Sequence, residues 1–215
     1  MANNNQIYKL SNAGGFKSLT RYYDMLAGNT VWNPWEPQGA FDALATVTLS
    51  AATASVTFAG IPTGYKHLQI RGFGQSSRAT YGWDDVLVRF NGDTASNYAR
   101  HYLGGDGSTT YSGAANTPGT YIYTDSTIGS STAGANVFGS FVMDILDYAS
   151  TSKNKTVRTL GGTDLNGTVG GQGGRVTMNS GLWFATPAAI TSIVLSTGSG
   201  TNFNTNTQFA LYGVK

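Results

Sequence analysis

From residue 41 onward, apolar and polar positions alternate with period two, the signature of strands half-buried against a core. Ala45–Leu49 and Ser55–Phe58 interleave Thr or Ser with apolar residues. Tyr65–Phe73 places Tyr65, His67, Gln69, Arg71 and Phe73 on one face and Lys66, Leu68, Ile70 and Gly72 on the other. The same logic predicts strands over Asp85–Phe90, Tyr98–Leu103, Tyr121–Thr124, Thr156–Leu160, Val176–Phe184, Ile190–Ser196 and Gln208–Val214. Val137–Tyr148 is nearly continuous in apolar residues, which predicts a central or bent strand. About ten short strands, with Asn91-Gly92, Asp106-Gly107 and Asn166-Gly167 as turn signals, predict an antiparallel sandwich or barrel. Gly104–Gly119 and Asn166–Gly174 read as the longest loops, of a length associated with function or with a packed partner.

Residues 1–40 follow another pattern. Leu19, Tyr22, Tyr23 and Leu26 recur at helical spacing, with Ser18 placed as an N-cap and Gly28 as the residue after the helix. Trp32, Pro34, Trp35 and Pro37 follow, and proline there blocks both helix and sheet ladder. The expectation is an extended N-terminal arm with one short helix (1–40) ahead of a β-domain (41–215). Its aromatic and apolar residues are too many for a tail that binds nothing.

Composition narrows the classes. Charged residues are 11% of the 215, against roughly 25% in ordinary chains, and glycine numbers 29. Glu occurs once, at Glu36, which excludes a helical bundle or coiled coil and disfavours a large α/β enzyme. Hydrophobic residues at 40% supply a core, so low charge does not mean disorder. A net charge of +2 gives no case for nucleic acid, and no apolar run is long enough to span a bilayer as a helix. The start carries no secretory signal pattern, and the absence of cysteine excludes disulfides and thiolate metal sites.

Candidate chemistry is sparse. His67 and His101 fall in predicted strands, and no metalloprotease, nucleophile-elbow or phosphate-loop pattern is present. The carboxylate pairs Asp84/Asp85 and Asp144/Asp147 do not assemble an acid–base cleft, since residues three apart in a strand face opposite sides. Loop carboxylate and carbonyl oxygens near Asn91–Asp93 offer a calcium site as the alternative to a plain turn, and the turn is preferred. Gly170–Gly174 precedes a strand and so offers no helix terminus to phosphate. The expectation is a non-enzyme with no cofactor and no metal. Tyr81, Trp83, Tyr111 and Trp183 are the candidates for stacking on a host glycan, against the alternative of core or interface packing.

Several segments in order carry a resemblance: IPTGYKHLQIRG (Ile61–Gly72), VRFNGDTASNYARH (Val88–His101), FVMDILDYASTSKNKTVRTLGG (Phe141–Gly162), SGLW (Ser180–Trp183) and FALYGVK (Phe209–Lys215). Together they resemble tailed-bacteriophage virion structural proteins, over roughly residues 41–215. NAGGFKSLTRYYDMLAGNT (Asn12–Thr30) is similar to the short N-terminal region such proteins carry. The resemblance implies a jelly-roll-like β-sandwich with a structural or adhesive role, and brings no catalytic residues. The expected role is a capsid decoration, or cement, protein on the virion surface, made in the host cytoplasm. Its arm would bind the major capsid protein and neighbouring subunits through Tyr8, Leu10, Phe16, Leu19, Arg21, Tyr22, Tyr23, Leu26, Trp32 and Trp35. The sandwich would associate with itself as a homotrimer. The alternative is a tail-associated fibre or receptor-binding protein that recognises host-surface glycan.

Overall fold

A computed structural model describes residues 40–114, 118–165 and 173–215. The expected arm, its helix and its ten candidate anchors lie outside the described residues, apart from Ala40. The strands are β1 (Phe41–Thr48), β2 (Ser55–Ala59), β3 (His67–Ser76), β4 (Trp83–Asp84), β5 (Val86–Phe90), β6 (Tyr98–Gly105) and β7 (Thr110–Ala114). They continue with β8 (Ile122–Tyr123), β9 (Ile128–Ser130), β10 (Gly139–Leu146), β11 (Lys155–Thr163), β12 (Arg175–Trp183), β13 (Ser192–Thr197) and β14 (Gln208–Val214). A single turn of 3-10 helix, Ser131–Ala133, follows β9.

Pairing is antiparallel except where β3 meets the short β9. Four pairs define the topology: β1 with β14, β2 with β13, β3 with β10 and β5 with β8. They fall alternately in the two sheets, giving β1-β14-β3-β10 in one and β2-β13-β5-β8 in the other. This is the rolled hairpin of an eight-stranded jelly roll. Two insertions widen it. The hairpin β6–β7 departs between β5 and β8, and β11–β12 between β10 and β13. All four add to the first sheet, which runs β1-β14-β3-β10-β11-β12-β6-β7. Val137–Tyr148 thus supplies a central strand, as its apolar continuity predicts.

The core lies where the two sheets face each other. Leu68, Ile70, Met143, Ile145, Phe209 and Leu211 of the wide sheet meet Val56, Phe58, Val88, Phe90, Ile193 and Leu195 of the narrow one. Each buried side chain of this kind contributes roughly 1.5–3 kcal/mol. In β3 the alternation holds as expected: Leu68 and Ile70 are fully buried while Phe73 is half exposed.

The expected loop over Gly104–Gly119 is corrected: most of it is the end of β6, a turn and β7. Two of its glycines, Gly104 and Gly113, are strand residues covered by rings. Gly104 pairs with Tyr111 and Tyr102 with Gly113. A Cβ on Gly104 would lie 2.5 Å from the Tyr111 ring, and one on Gly113 2.5 Å from the Tyr102 hydroxyl. Each ring lies across the bare backbone opposite, which supplies the packing a glycine strand lacks. Phe141 over Gly72 and Tyr65 over Gly213 repeat the device. The Asp106-Gly107 turn joins β6 to β7, and the Asp106 carboxylate accepts from the backbone of Ser108 (3.0 Å) and Thr109 (2.7 Å).

Candidate functional site

The insertion strands build an unusual surface. Val142 of β10 pairs with Leu160 of β11, Leu160 with Met178 of β12, and Met178 with Leu103 of β6. Residues paired in this way share a face, so the four side chains form one cross-strand row. It points to solvent: Val142 is 39% exposed, Leu160 59%, Met178 55% and Leu103 52%. The next row reads Phe73, Ser140, Gly162, Val176 and Gly105. Phe73 stacks on Phe138 at 5.0 Å, and Val176 is 66% exposed. Gly162 and Gly105 carry no side chain, leaving an open trough of about 1090 Å³ walled by Phe138, Leu160 and Val176. A polar row borders the patch on its other side: Gln69, Asp144, Arg158, Ser180 and His101. Arg71 donates to Gln69 (3.0 Å), and Gln69 to Asp144 (2.9 Å).

The inner face of the same strands explains the inversion. In β11 and β12 the part of it formed by Thr163, Thr177 and Asn179 lies not on apolar core but on the segment Thr124–Thr127, where Asp125 (φ 49°) and Ser126 (φ 57°) are left-handed in succession. Backbone in that conformation leaves carbonyls that no ladder satisfies. Asn179 donates to Thr124 O (2.6 Å), Thr177 to Asp125 O (2.6 Å) and Thr163 to Ser126 O (3.4 Å). Thr163, Thr177 and Asn179 are therefore drawn inward, and period two turns Leu160, Val176 and Met178 out. Two carboxylates sit at this segment. Asp85 accepts from Ser126 N at 2.5 Å, and burial pushes its pKa up to about 6. Burial also raises Asp125, against the opposing pull of Arg100, which bonds it at 2.6 Å.

Three of the four aromatic candidates for glycan contact come together. Tyr81 stacks on Trp83 at 5.3 Å, and the Arg78 guanidinium lies over both, at 4.5 and 4.6 Å. Arg175 lies over Trp83 at 4.1 Å and over Tyr111 at 5.1 Å. Tyr81 is 37% exposed, and Trp83 and Tyr111 are half-buried. Trp183 is corrected: only 5% exposed, it packs on Phe90 and Tyr98 and donates to Asp93 Oδ2 at 2.7 Å. A ring so enclosed offers no face to a sugar.

The other polar candidates are held in structural roles. Asp84 is fully buried and accepts from Ser76 Oγ, Asp85 N, Ser199 N and Gly200 N at 2.6–3.0 Å. Asp147 stands in the turn after β10 and pairs with Lys153 at 2.8 Å. Asp93 accepts from Ala95 N and Asn97 Nδ2 besides Trp183, and Asn91 Oδ1 from Thr191 N and Ser192 N. Partial burial raises Asp93, but those bonds outweigh it and hold its carboxyl below the usual range. His67 and His101 sit on β3 and β6, with three strands between them. Among the described residues no group of three or more His, Cys, Asp or Glu is placed to hold a metal ion.

Sequence alternation alone does not identify the exposed row. The signal was there in Val176, Thr177, Met178 and Asn179, but alternation separates two faces without saying which is inside.

No family model matches the sequence, and no curated protein matches it. Among solved structures, the CBM2 module of the evolved Dit of Lactobacillus casei BL23 phage J-1 aligns over 83% of this chain and 81% of that one. The identity is 10% and the TM-score 0.17, a value too low to be evidence of a shared fold.

Proposed function

We propose that this chain is a structural subunit of a tailed-phage virion, and specifically a capsid decoration protein. The observation that supports an assembly role is the solvent-facing apolar row Val142–Leu160–Met178–Leu103 on a widened jelly-roll sheet. Soluble monomers rarely present such a contiguous patch unless it binds something. The role is non-catalytic: buried contact area between subunits and shell resists the pressure of packaged DNA. Residues 1–40 would anchor the subunit on the major capsid protein, while the jelly roll covers the shell and associates with itself. The placement in a phage comes from the resemblance of residues 41–215.

Cryo-electron microscopy of the virion tests this directly, with density for the chain expected on the head. Density on the tail overturns it. A chain lacking residues 1–40 is expected to fold and to lose co-sedimentation with empty capsids; retained binding removes the role of the arm.

The second reading, a tail-associated receptor-binding protein, is favoured by the Tyr81–Trp83 stack beside Arg78, the aromatic surface an oligosaccharide ring would use. Glycan-array binding that is lost on Trp83→Ala and Tyr81→Ala would select it.

A further inference from the structure

We infer that the outer face of β10, β11, β12 and β6 is a two-fold interface that takes a second copy of this chain. The inference rests on reading that face as an assembly surface and names what covers it.

Self-complementarity carries the assignment. The centre of the apolar row lies between Leu160 on β11 and Met178 on β12, with Val142 and Leu103 flanking them symmetrically. Consider a two-fold axis in the plane of contact, parallel to the strands and midway between β11 and β12. It sets Leu160 over the partner's Met178 and Val142 over the partner's Leu103, each contact occurring twice. In the next row the same axis sets Val176, the most exposed of these residues, over the partner's bare Gly162. A protruding side chain thus enters a hollow, twice. In the polar row it sets Asp144 over the partner's His101, an acceptor against a group able to donate. Shape, polarity and hydrogen-bonding capacity all match under one operator.

The charge pattern argues against a partner of one sign. The border of the patch carries Arg71, Arg158 and Asp144 together, and Asp144 and Arg158 are directly opposed across β10 and β11. A mixed border is what a copy of the same surface accommodates. The area also suffices. Six apolar side chains, Phe73, Leu103, Val142, Leu160, Val176 and Met178, are 39–66% exposed, presenting on the order of 500 Å². Pairing would bury on the order of 1,000 Å² in total, the lower bound of a specific interface.

The test is the mass of the purified full-length chain in solution, by light scattering after gel filtration and by sedimentation equilibrium. The expected value is twice the chain mass of 22.6 kDa. Met178→Lys alone and Leu160→Glu alone are each expected to give folded monomers with unchanged circular dichroism, because both side chains are more than half exposed, and to lose in melting only the concentration-dependent stabilisation that association gives. Mixing the two variants is expected to restore a dimer containing one of each, since the axis sets the introduced lysine of one chain over the introduced glutamate of the other. A monomeric wild type at micromolar concentration overturns the inference, as does a trimer or any oligomer that survives both substitutions. A mixture that stays monomeric overturns the two-fold register. A monomer that still decorates phage heads would refute this inference while leaving the virion role standing.

Discussion

Asp85→Asn should stabilise the protein at neutral pH and do nothing in acid. Asp85 is held against the Thr124–Thr127 segment, and burial lifts its pKa from 3.8 to about 6. Backbone donation from Ser126 N lowers it, while the neighbouring Asp125 and Asp84 raise it further. At neutral pH the group is ionised in both folded and unfolded chains, so the native state carries the whole penalty. At 1.36 kcal/mol per tenfold change in proton affinity, the shift amounts to about 3 kcal/mol. Asp85 keeps partial access to water, so about 1–3 kcal/mol is the working range. The sign follows from linkage. The folded pKa is raised, so the favourable contribution is complete below pH 3.8 and is lost as pH rises through about 6. Asparagine keeps an oxygen to accept from Ser126 N and cannot ionise. In a domain of this size each kcal/mol moves the melting temperature by about 2–4 °C. The substitution should therefore raise it by roughly 2–12 °C at pH 7.5, with the gain vanishing at pH 3.5. Thermal melts of both proteins across that range decide it. A variant no more stable at pH 7.5, or one whose advantage is equal at both ends, refutes the account of Asp85.

Five further substitutions probe the packing. Gly113→Val forces a branched side chain into the Tyr102 ring and should cost about 1–3 kcal/mol, whereas Gly105→Ala, whose Cβ would meet Thr109 O at an ordinary 3.5 Å, should be nearly silent in denaturant unfolding. Thr177→Val keeps volume but removes the donor to Asp125 O, and should cost about 1–3 kcal/mol with faster amide exchange around residues 124–127. Trp183→Ala should cost about 3–5 kcal/mol, since it empties a core site and removes one of the three donors to Asp93. Tyr81→Ala, by contrast, should lose a surface stack on Trp83, about 0.5–1.5 kcal/mol, together with the Arg78 contact to its ring.

What the sequence could and could not say divides along the eight original strands and the four inserted ones. In β3 and β10 the alternation and the apolar run identify face and position, because core burial selects both. In β7 the signal fails. Thr110–Ala114 is TYSGA, and its glycine is a strand residue only because Tyr102 covers it from the neighbouring strand. That covering is a relation between positions eleven apart, invisible to a local window. In β12 the failure is of another kind. Thr177 and Asn179 face inward because carbonyls with left-handed neighbours need donors. Polarity then follows hydrogen-bond demand rather than burial, and the rule that apolar residues face the core reverses.

That reversal links the fold to its use. An eight-stranded jelly roll closes its core with two sheets of four, and has no need of β11, β12, β6 and β7 for that purpose. The added strands cover a polar, strained segment on one side at the cost of turning out leucine, valine and methionine on the other. Left alone, the outer row would be an aggregation liability, since flat apolar sheet surface finds partners indiscriminately. The six exposed apolar side chains of this face call for a specific cover, which the proposed two-fold contact would supply. The arrangement of Leu160 against Met178, and of Val176 beside Gly162, is one that a second copy fits.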